Sequence, residues 1–225
     1  MVSERVSAGG IVLCGGRSTR MGRPKLSLSF GPETMLARVV RVLREVVEPV
    51  VVVAAPNQDV PPLPSEVLLA RDEHEGLGPL AGLAAGLGAL RPHVEAAFVS
   101  SCDVPLLQPA FVRRMIELLG SCELAIPRAG NYHHPLSAVY RTSLEDRVRA
   151  LLRESRLRPY YLVEQCRSRI VEVDELRAAD PELLSLRNVN TEEEYLQALR
   201  DARLDTREWP TAKFLTTKFT KITKF

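Results

Sequence analysis

Several patterns that would place the protein in a particular class are missing from the sequence. No run of about 18 apolar residues occurs, which predicts that no helix spans a membrane and that no membrane is a partner. Residues 1–5 carry the acidic Glu4 and lack a cleavable signal pattern. No two cysteines form a CxxC pair, which argues against a zinc site and for reduced thiols. The cysteines are Cys14, Cys102, Cys122 and Cys166. These absences predict a cytoplasmic protein.

A large excess of charge is also missing. The formal net charge is only +2, so the chain is not expected to bind nucleic acid, and any anion site must be local. The length of 225 residues suits one sizeable domain. We predict one domain over residues 1–204. Residues 205–225 form a basic tail with no acidic residue after Glu208, and we expect this tail to be disordered.

Apolar runs alternate with helical patterns along the chain. The predicted strands cover residues 8–14, 50–54, 67–70, 96–101, 124–127, 136–140 and 170–173. The predicted helices cover residues 34–47, 80–90, 109–119, 142–153 and 191–203, with Thr142 and Thr191 as N-caps of the last two. This alternation predicts an α/β fold with three α/β/α layers and a mostly parallel, Rossmann-like sheet in a single domain. Ligands of such sheets bind beyond the carboxyl ends of the strands.

The segment from Ile11 to Lys25 has the features of a phosphate-binding loop. An apolar run ends at Gly15-Gly16, and glycine accepts the positive φ angles with which backbone N–H groups surround an anion. The basic residues that follow are Arg17, Arg20, Arg23 and Lys25. The spacing fits neither the Walker motif nor the G-x-G-x-x-G dinucleotide fingerprint. The alternative is a strand-to-helix connection with incidental arginines.

Two aspartates follow predicted strands. Asp103, in Ser101-Cys102-Asp103-Val104-Pro105, is placed for Mg²⁺, which prefers few carboxylates together with water and substrate phosphates. The alternative for Asp103 is a capping role in the turn before Pro105. The carboxylate of Asp72 would accept hydrogen bonds from the N1–H and 2-amino groups of guanine, a donor pair that cytosine lacks. The alternative for Asp72 is a solvated surface position.

Three further segments contain candidate substrate contacts. The small residues from Gly76 to Gly82 allow a substrate, or a neighbouring backbone, to approach closely. His133 and His134 are adjacent and so point to opposite faces of an extended chain, which argues against joint metal binding but leaves one histidine for substrate. Asn188 and Asn190 lie two residues apart and therefore share a face, which we expect to point into the cleft. Packing and capping turns are the alternatives.

Together these residues resemble the molybdenum cofactor guanylyltransferase family, within the nucleotidyltransferases of the glycosyltransferase-A type. The matching segments are Leu13-Cys14-Gly15-Gly16, Arg20-Met21-Gly22, Lys25, Gly78-Pro79-Leu80-Ala81-Gly82, Cys102-Asp103-Val104-Pro105, His134-Pro135-Leu136 and Asn188-Val189-Asn190-Thr191-Glu192-Glu193. They occur in the family's order between about residues 6 and 200. The ordered set is more specific than any one of its members.

The resemblance implies a fold of the nucleotide-diphospho-sugar transferase type and transfer of GMP from GTP to the terminal phosphate of molybdopterin, with Mg²⁺ as cofactor. The implied nucleotide- and cofactor-binding residues are Leu13, Cys14, Gly15, Gly16, Lys25, Asp72 and Asp103. The implied catalytic residues are Arg20, Lys25 and Asp103, with Asp103 as the metal ligand. The candidate substrate-binding residues are Gly78, Gly82, His134, Asn188 and Asn190. Molybdopterin-handling proteins and molybdoenzymes are further candidate partners.

Two other functions remain open at this point. The first is a related nucleotidyltransferase that uses CTP or a sugar phosphate. The related cytidylyltransferase of the same cofactor more often has Ala-Ala-Gly where this chain has Cys14-Gly15-Gly16, which favours GTP. The second is a non-catalytic adaptor that binds the nucleotide or the cofactor, which would bind GTP without releasing pyrophosphate.

Overall fold

The computed structural model describes residues 6–15, 25–72 and 76–205. The strands are, in chain order, β1 (Ala8–Leu13), β2 (Ser29–Phe30), β3 (Glu33–Thr34), β4 (Val50–Ala54), β5 (Leu68–Arg71), β6 (Ala96–Ser101), β7 (Leu124–Ala129), β8 (Tyr132–His133), β9 (Ala138–Arg141) and β10 (Ser168–Glu172). The α-helices are α1 (Met35–Arg44), α2 (Pro79–Leu90), α3 (Pro109–Leu119), α4 (Glu145–Arg153), α5 (Tyr161–Gln165) and α6 (Glu192–Asp201). Within the described ranges, no helix combines the length and apolar character needed to cross a membrane. The predicted basic tail lies outside the described residues, apart from Asp205.

Eight of these strands form one sheet in the order β10-β7-β9-β6-β1-β4-β5, with β8 paired to β7. β1 runs parallel to both β4 and β6, and β4 runs parallel to β5. β9 is antiparallel to both β6 and β7, so β7 and its parallel neighbour β10 run in the direction of β1. The strands β2 and β3 form a separate hairpin. The carboxyl ends of all six parallel strands therefore meet at one side of the sheet, which we call the carboxyl edge.

Helices cover both faces of the sheet because its central strands are apolar on both sides. β4 is fully buried, with Val50 and Val52 packed in the cluster that contains α1 and α3. Val51 and Val53 belong to the opposite cluster, which contains residues of α2, α4 and α5. A β-branched run of this kind is typical of a strand buried on both faces. The predicted three-layer α/β/α architecture with a mostly parallel sheet is confirmed.

The small residues of α2 allow this helix to lie close to β1. A Cβ atom at Gly86 would lie 2.7 Å from the Cγ2 atom of Ile11, and one at Gly82 would lie 3.3 Å from a Cδ atom of Leu13. A larger residue at position 86 would force the helix away from the strand. Close helix-to-sheet packing therefore accounts for both glycines.

The helix α6 joins the last part of the chain to the carboxyl edge. Thr191 accepts the N–H of Glu194, and the Glu194 side chain accepts the N–H of Thr191, a capping box that confirms Thr191 as the N-cap. Tyr195 donates its hydroxyl to the carbonyl of Ser29 and meets the ring of Phe30 edge-on, with centroids 6.3 Å apart. The helix is thus held against the β2–β3 hairpin, and the segment before it reaches the sheet.

The structure differs from the predicted elements in the second half of the chain. The predicted strand over 136–140 begins only at Ala138, because a 3-10 helix occupies Pro135–Ser137. The prediction that Thr142 caps a helix is wrong. Its hydroxyl donates to the carbonyl of Val94 at 2.9 Å, and a 3-10 helix over Thr142–Leu144 precedes α4. The second difference arises from a contact between segments distant in sequence, whereas the 3-10 helix is closed locally by a bond from the N–H of Ser137 to the carbonyl of His134.

Candidate active site

The site lies where β1 and β6 end side by side at the carboxyl edge. Leu13 is the register partner of Ser101, so the segments that follow the two strands leave the sheet together. The N–H of Cys102 donates to the carbonyl of Leu13 at 3.1 Å, which extends the pairing beyond the strands. The predicted phosphate loop and the predicted metal ligand therefore begin at adjacent points.

Lys25 and Asp103 form the central charge pair of the site. The Nζ atom of Lys25 lies 2.9 Å from Oδ2 of Asp103 and donates to Oδ1 of Asn190 at 2.7 Å. The side chains of Lys25 and Asp103 are only 18% and 15% exposed, so water screens the pair less than it screens a surface pair. Asp103 is 78 residues from Lys25, and Asn190 is 165 residues from it. The fold brings together three of the predicted residues.

The second carboxylate oxygen of Asp103 is held by two further side chains. The amide Nδ2 of Asn188 donates to Oδ1 at 3.2 Å, and the hydroxyl of Ser101 donates to the same atom. The N–H of Val189 also donates to the main-chain carbonyl of Asp103 at 2.8 Å. Sequence reasoning missed the role of Ser101. Its position two residues before Asp103, at the end of a buried strand, was the available signal.

The donor atoms around Asp103 fit a magnesium ion. They include the carboxylate of Asp103 and the side-chain oxygen of Asn190, both hard oxygen donors. In the described part of the chain, no group of three or more His, Cys, Asp or Glu side chains is placed to hold a metal ion. A single carboxylate is typical of Mg²⁺ that is bound mainly through water and substrate phosphates, and it does not suit structural zinc.

The two cysteines nearest the site are packing residues. Cys14 and Cys102 are free and buried, 4% and 7% exposed. A hydrogen bond with the Cys102 thiol, together with burial, raises the pKa of the Cys14 thiol. A thiol held in its neutral form is a poor metal ligand and a poor nucleophile.

Two side chains that sequence reasoning missed hold the ends of β1, β4 and β5 together. The Nε2 atom of Gln58 donates to the carbonyl of Cys14 at 3.0 Å, and its Oε1 atom accepts the N–H of Ala55 at 3.0 Å. The guanidinium of Arg71 donates to the carbonyls of Ala55 and Gln58 at 2.9 and 2.6 Å. Gln58 follows a fully buried strand at the carboxyl edge, and that position was the only sequence signal.

Gln58→Ala is expected to raise the KM for the nucleotide about fivefold to tenfold, with a smaller effect on kcat. The variant leaves the carbonyl of Cys14 without its side-chain donor, and one lost hydrogen bond of this type costs about 1 kcal/mol. The measurement is the initial rate of pyrophosphate release as a function of nucleotide concentration. Gln197→Ala, on the exposed surface of α6, is the control. An unchanged KM in Gln58→Ala would mean that the loop is held by other contacts.

The described part of the chain also contains the predicted residues Asp72, Gly78 and His134. Asp72 directly follows β5 and donates its N–H to the carbonyl of Ala54 at 2.9 Å. Because β5 is three strands from β6, this end of the sheet is about 14 Å from Asp103. Gly78 has a φ of +73° and precedes α2, with open space where a Cβ would point. The ring of His134 meets the ring of Tyr132. Gly16 and Arg20 lie outside the described residues.

Comparison with known proteins identifies the family of this chain. The model of the MobA-like NTP transferase domain matches residues 10–168. A protein of Mycobacterium avium named "probable molybdenum cofactor guanylyltransferase" is 35% identical over 207 residues, which cover 90% of this chain and 100% of that protein.

Solved structures share the fold. The molybdopterin-guanine dinucleotide biosynthesis protein A of Archaeoglobus fulgidus has a TM-score of 0.71 at 23% identity, with 87% of this chain and 98% of that chain covered. A Mycobacterium tuberculosis protein solved as a manganese complex has a TM-score of 0.56 at 17% identity, with 79% and 100% covered. The length of the family match and the identity to the mycobacterial relative are decisive: this chain belongs to the MobA-like NTP transferase family and is a nucleotidyltransferase.

Proposed function

We propose that the protein transfers GMP from GTP to the terminal phosphate of molybdopterin and releases pyrophosphate. The observation that carries this proposal is the Lys25–Asp103–Asn190 cluster, which stands beside the end of the phosphate loop at Gly15. The cluster offers one cation and one metal-binding carboxylate at the place where ligands of such sheets bind. The name of the mycobacterial relative supports guanine as the base and the molybdenum cofactor as the acceptor.

The reaction forms one bond and breaks one bond. An oxygen of the acceptor phosphate attacks the α-phosphorus of GTP, and the bond from this phosphorus to the oxygen that bridges to the β-phosphorus breaks. The electron pair leaves with pyrophosphate. A phosphomonoester has a second pKa of about 6 and is largely ionised at neutral pH, so the acceptor needs no general base. Lys25 neutralises part of the charge on the phosphates, and the backbone of Leu13 to Gly15 holds the nucleotide.

Asp103 would hold Mg²⁺ with help from Asn190, since these two residues provide the oxygen donors described above. The ion, when bound, neutralises charge on the triphosphate. Manganese in the M. tuberculosis structure is another divalent ion that favours oxygen donors. Ser101 and Asn188 fix the direction of the Asp103 carboxylate, so that it is already oriented before the nucleotide arrives.

The choice of nucleotide depends on the side of the sheet formed by β1, β4 and β5. Gly15-Gly16 and the position of Asp72 beyond β5 support GTP, because a carboxylate there matches the paired donors of guanine. The test is a panel of GTP, CTP, ATP and UTP with molybdopterin and Mg²⁺, read by pyrophosphate release. We expect GTP to be used with the highest kcat/KM. Turnover of CTP without GTP would assign the related cytidylyl transfer, and GTP binding without pyrophosphate release would assign an adaptor.

A further inference from the structure

The β7–β8 hairpin carries an exposed aromatic group. Tyr132 is 67% exposed and is the most exposed large apolar side chain among the described residues. The ring of His134 meets it edge-on, with centroids 4.9 Å apart and an interplanar angle of 81°. On the other face of the hairpin, His133 contacts Tyr160 at 5.0 Å. The whole chain has five tyrosines and four histidines. Two of each meet at this hairpin, where they contribute little to the core, with Tyr160 supplied by the segment before α5.

This hairpin lies at the carboxyl edge, on one side of Asp103. β7 runs parallel to β6, so the turn at its end and the first residue of β8 share the edge with Asp103. β1, β4 and β5 lie on the other side of β6. β7 is two strands from β6, a distance of about 10 Å. Asp103 therefore lies between the end of β1 on one side and the β7–β8 hairpin on the other.

Tyr132 also lies on the same face of the sheet as the turn of Asp103. Tyr132 is the register partner of Ala129, and Ala129 shares a face with Ala125 because side chains of a strand alternate. Ala125 packs in the buried cluster that includes Val104, the residue after Asp103. A ligand that lies on this face of the edge would reach both Tyr132 and Asp103.

The titratable groups near Tyr132 are either paired with an opposite charge or mostly neutral. The guanidinium of Arg128 forms an ion pair with Glu172. Burial lowers the pKa of His133, and burial together with the neighbouring His133 lowers the pKa of His134. Both imidazoles are therefore mostly neutral at pH 7. The surface around Tyr132 suits an uncharged flat ring better than a phosphate.

We propose that Tyr132 is the stacking surface for the fused heterocyclic ring of the acceptor, and that His134 is a positioning residue that holds the Tyr132 ring. This inference rests on the proposed function, since it concerns the acceptor of the same site. The acceptor phosphate lies at Asp103, its ring system extends towards the hairpin, and the nucleotide occupies the opposite flank. Aromatic side chains bind flat heterocycles by stacking, and the polar edge of the heterocycle then remains available for hydrogen bonds.

The test compares Tyr132→Ala, Tyr132→Phe and Tyr160→Ala. We expect Tyr132→Ala to raise the KM for molybdopterin about tenfold, the range expected for one lost aromatic stack. The KM for GTP, and kcat at saturating molybdopterin, should not change. Tyr132→Phe keeps the ring and should behave as the unchanged protein. Tyr160→Ala removes a similar exposed ring from the opposite face and is the matched control.

A binding measurement separates this inference from the proposed function. The probe is 6-carboxypterin, followed by its own fluorescence anisotropy with the full chain. Weaker binding of this probe to Tyr132→Ala than to Tyr132→Phe supports the stacking surface, even if GTP proves to be the wrong nucleotide. An unchanged molybdopterin KM in an active Tyr132→Ala, or equal binding of the probe by all variants, overturns the inference and leaves guanylyl transfer intact.

Discussion

Asp103→Asn is expected to lower the rate of guanylyl transfer about a thousandfold, a loss typical of removing one main electrostatic contact of a phosphoryl-transfer site. The amide keeps the size of the side chain and its place between Ser101 and Lys25, but it removes the negative charge that binds the metal ion. Within the described residues, no group of three or more His, Cys, Asp or Glu side chains is placed to bind the ion in its stead. The measurement is pyrophosphate release from GTP with molybdopterin over a range of Mg²⁺ concentrations.

The control for this experiment is Asp174→Asn. Asp174 is 84% exposed and pairs with Arg177 on the surface, so its loss should leave turnover unchanged. Thermal unfolding of both variants shows whether the fold is preserved. An Asp103→Asn protein that folds normally and keeps near-normal turnover with Mg²⁺ would refute the metal assignment.

Lys25→Met is expected to have two opposite effects. Turnover should fall about a hundredfold or more, because the triphosphate loses its positively charged partner. Binding of Mn²⁺ in the absence of nucleotide should become about fivefold tighter, because Lys25 no longer competes for the carboxylate of Asp103, an interaction worth about 1 kcal/mol in a partly exposed pair. Methionine keeps most of the length of the lysine side chain without its charge.

The two effects of Lys25→Met need separate measurements. Calorimetric titration with Mn²⁺ gives the metal affinity, and pyrophosphate release gives the turnover. Lys25→Arg is the matched variant, since it keeps the charge and should retain the competition with the metal. Unchanged Mn²⁺ affinity in Lys25→Met would show that the lysine and the ion do not share Asp103.

Sequence patterns predicted the helices and strands whose limits are set by residues close together in the chain. β4 and α3 have the predicted limits because each is an uninterrupted apolar or amphipathic segment with Gly or Pro at its boundary. The Thr191 cap was predictable because a capping box needs only residues three apart. Thr142 has the same residue type but bonds to a carbonyl nearly fifty residues away, and no local pattern reports such a partner.

In the candidate site, too, local sequence patterns do not report contacts between residues that are distant in the chain. Asp103 and Lys25 were predictable because each belongs to a short segment whose residue types indicate metal binding or phosphate binding. Their direct contact was not, since it depends on a 3-10 helix at Lys25 and on the strand order of the sheet. Gln58 was missed because a glutamine after a strand has no distinctive spacing. Its role comes from two backbone groups that only the folded chain brings within reach.

The late position of Asn188 and Asn190 has a consequence for synthesis of the protein. All eight strands of the main sheet end by Glu172, so a growing chain can complete its sheet before these asparagines leave the ribosome. Asp103 would then lack the side-chain amide of Asn188, and Lys25 would lack its bond to Asn190. A chain shortened to residue 187 is therefore expected to form the sheet but to release no pyrophosphate from GTP.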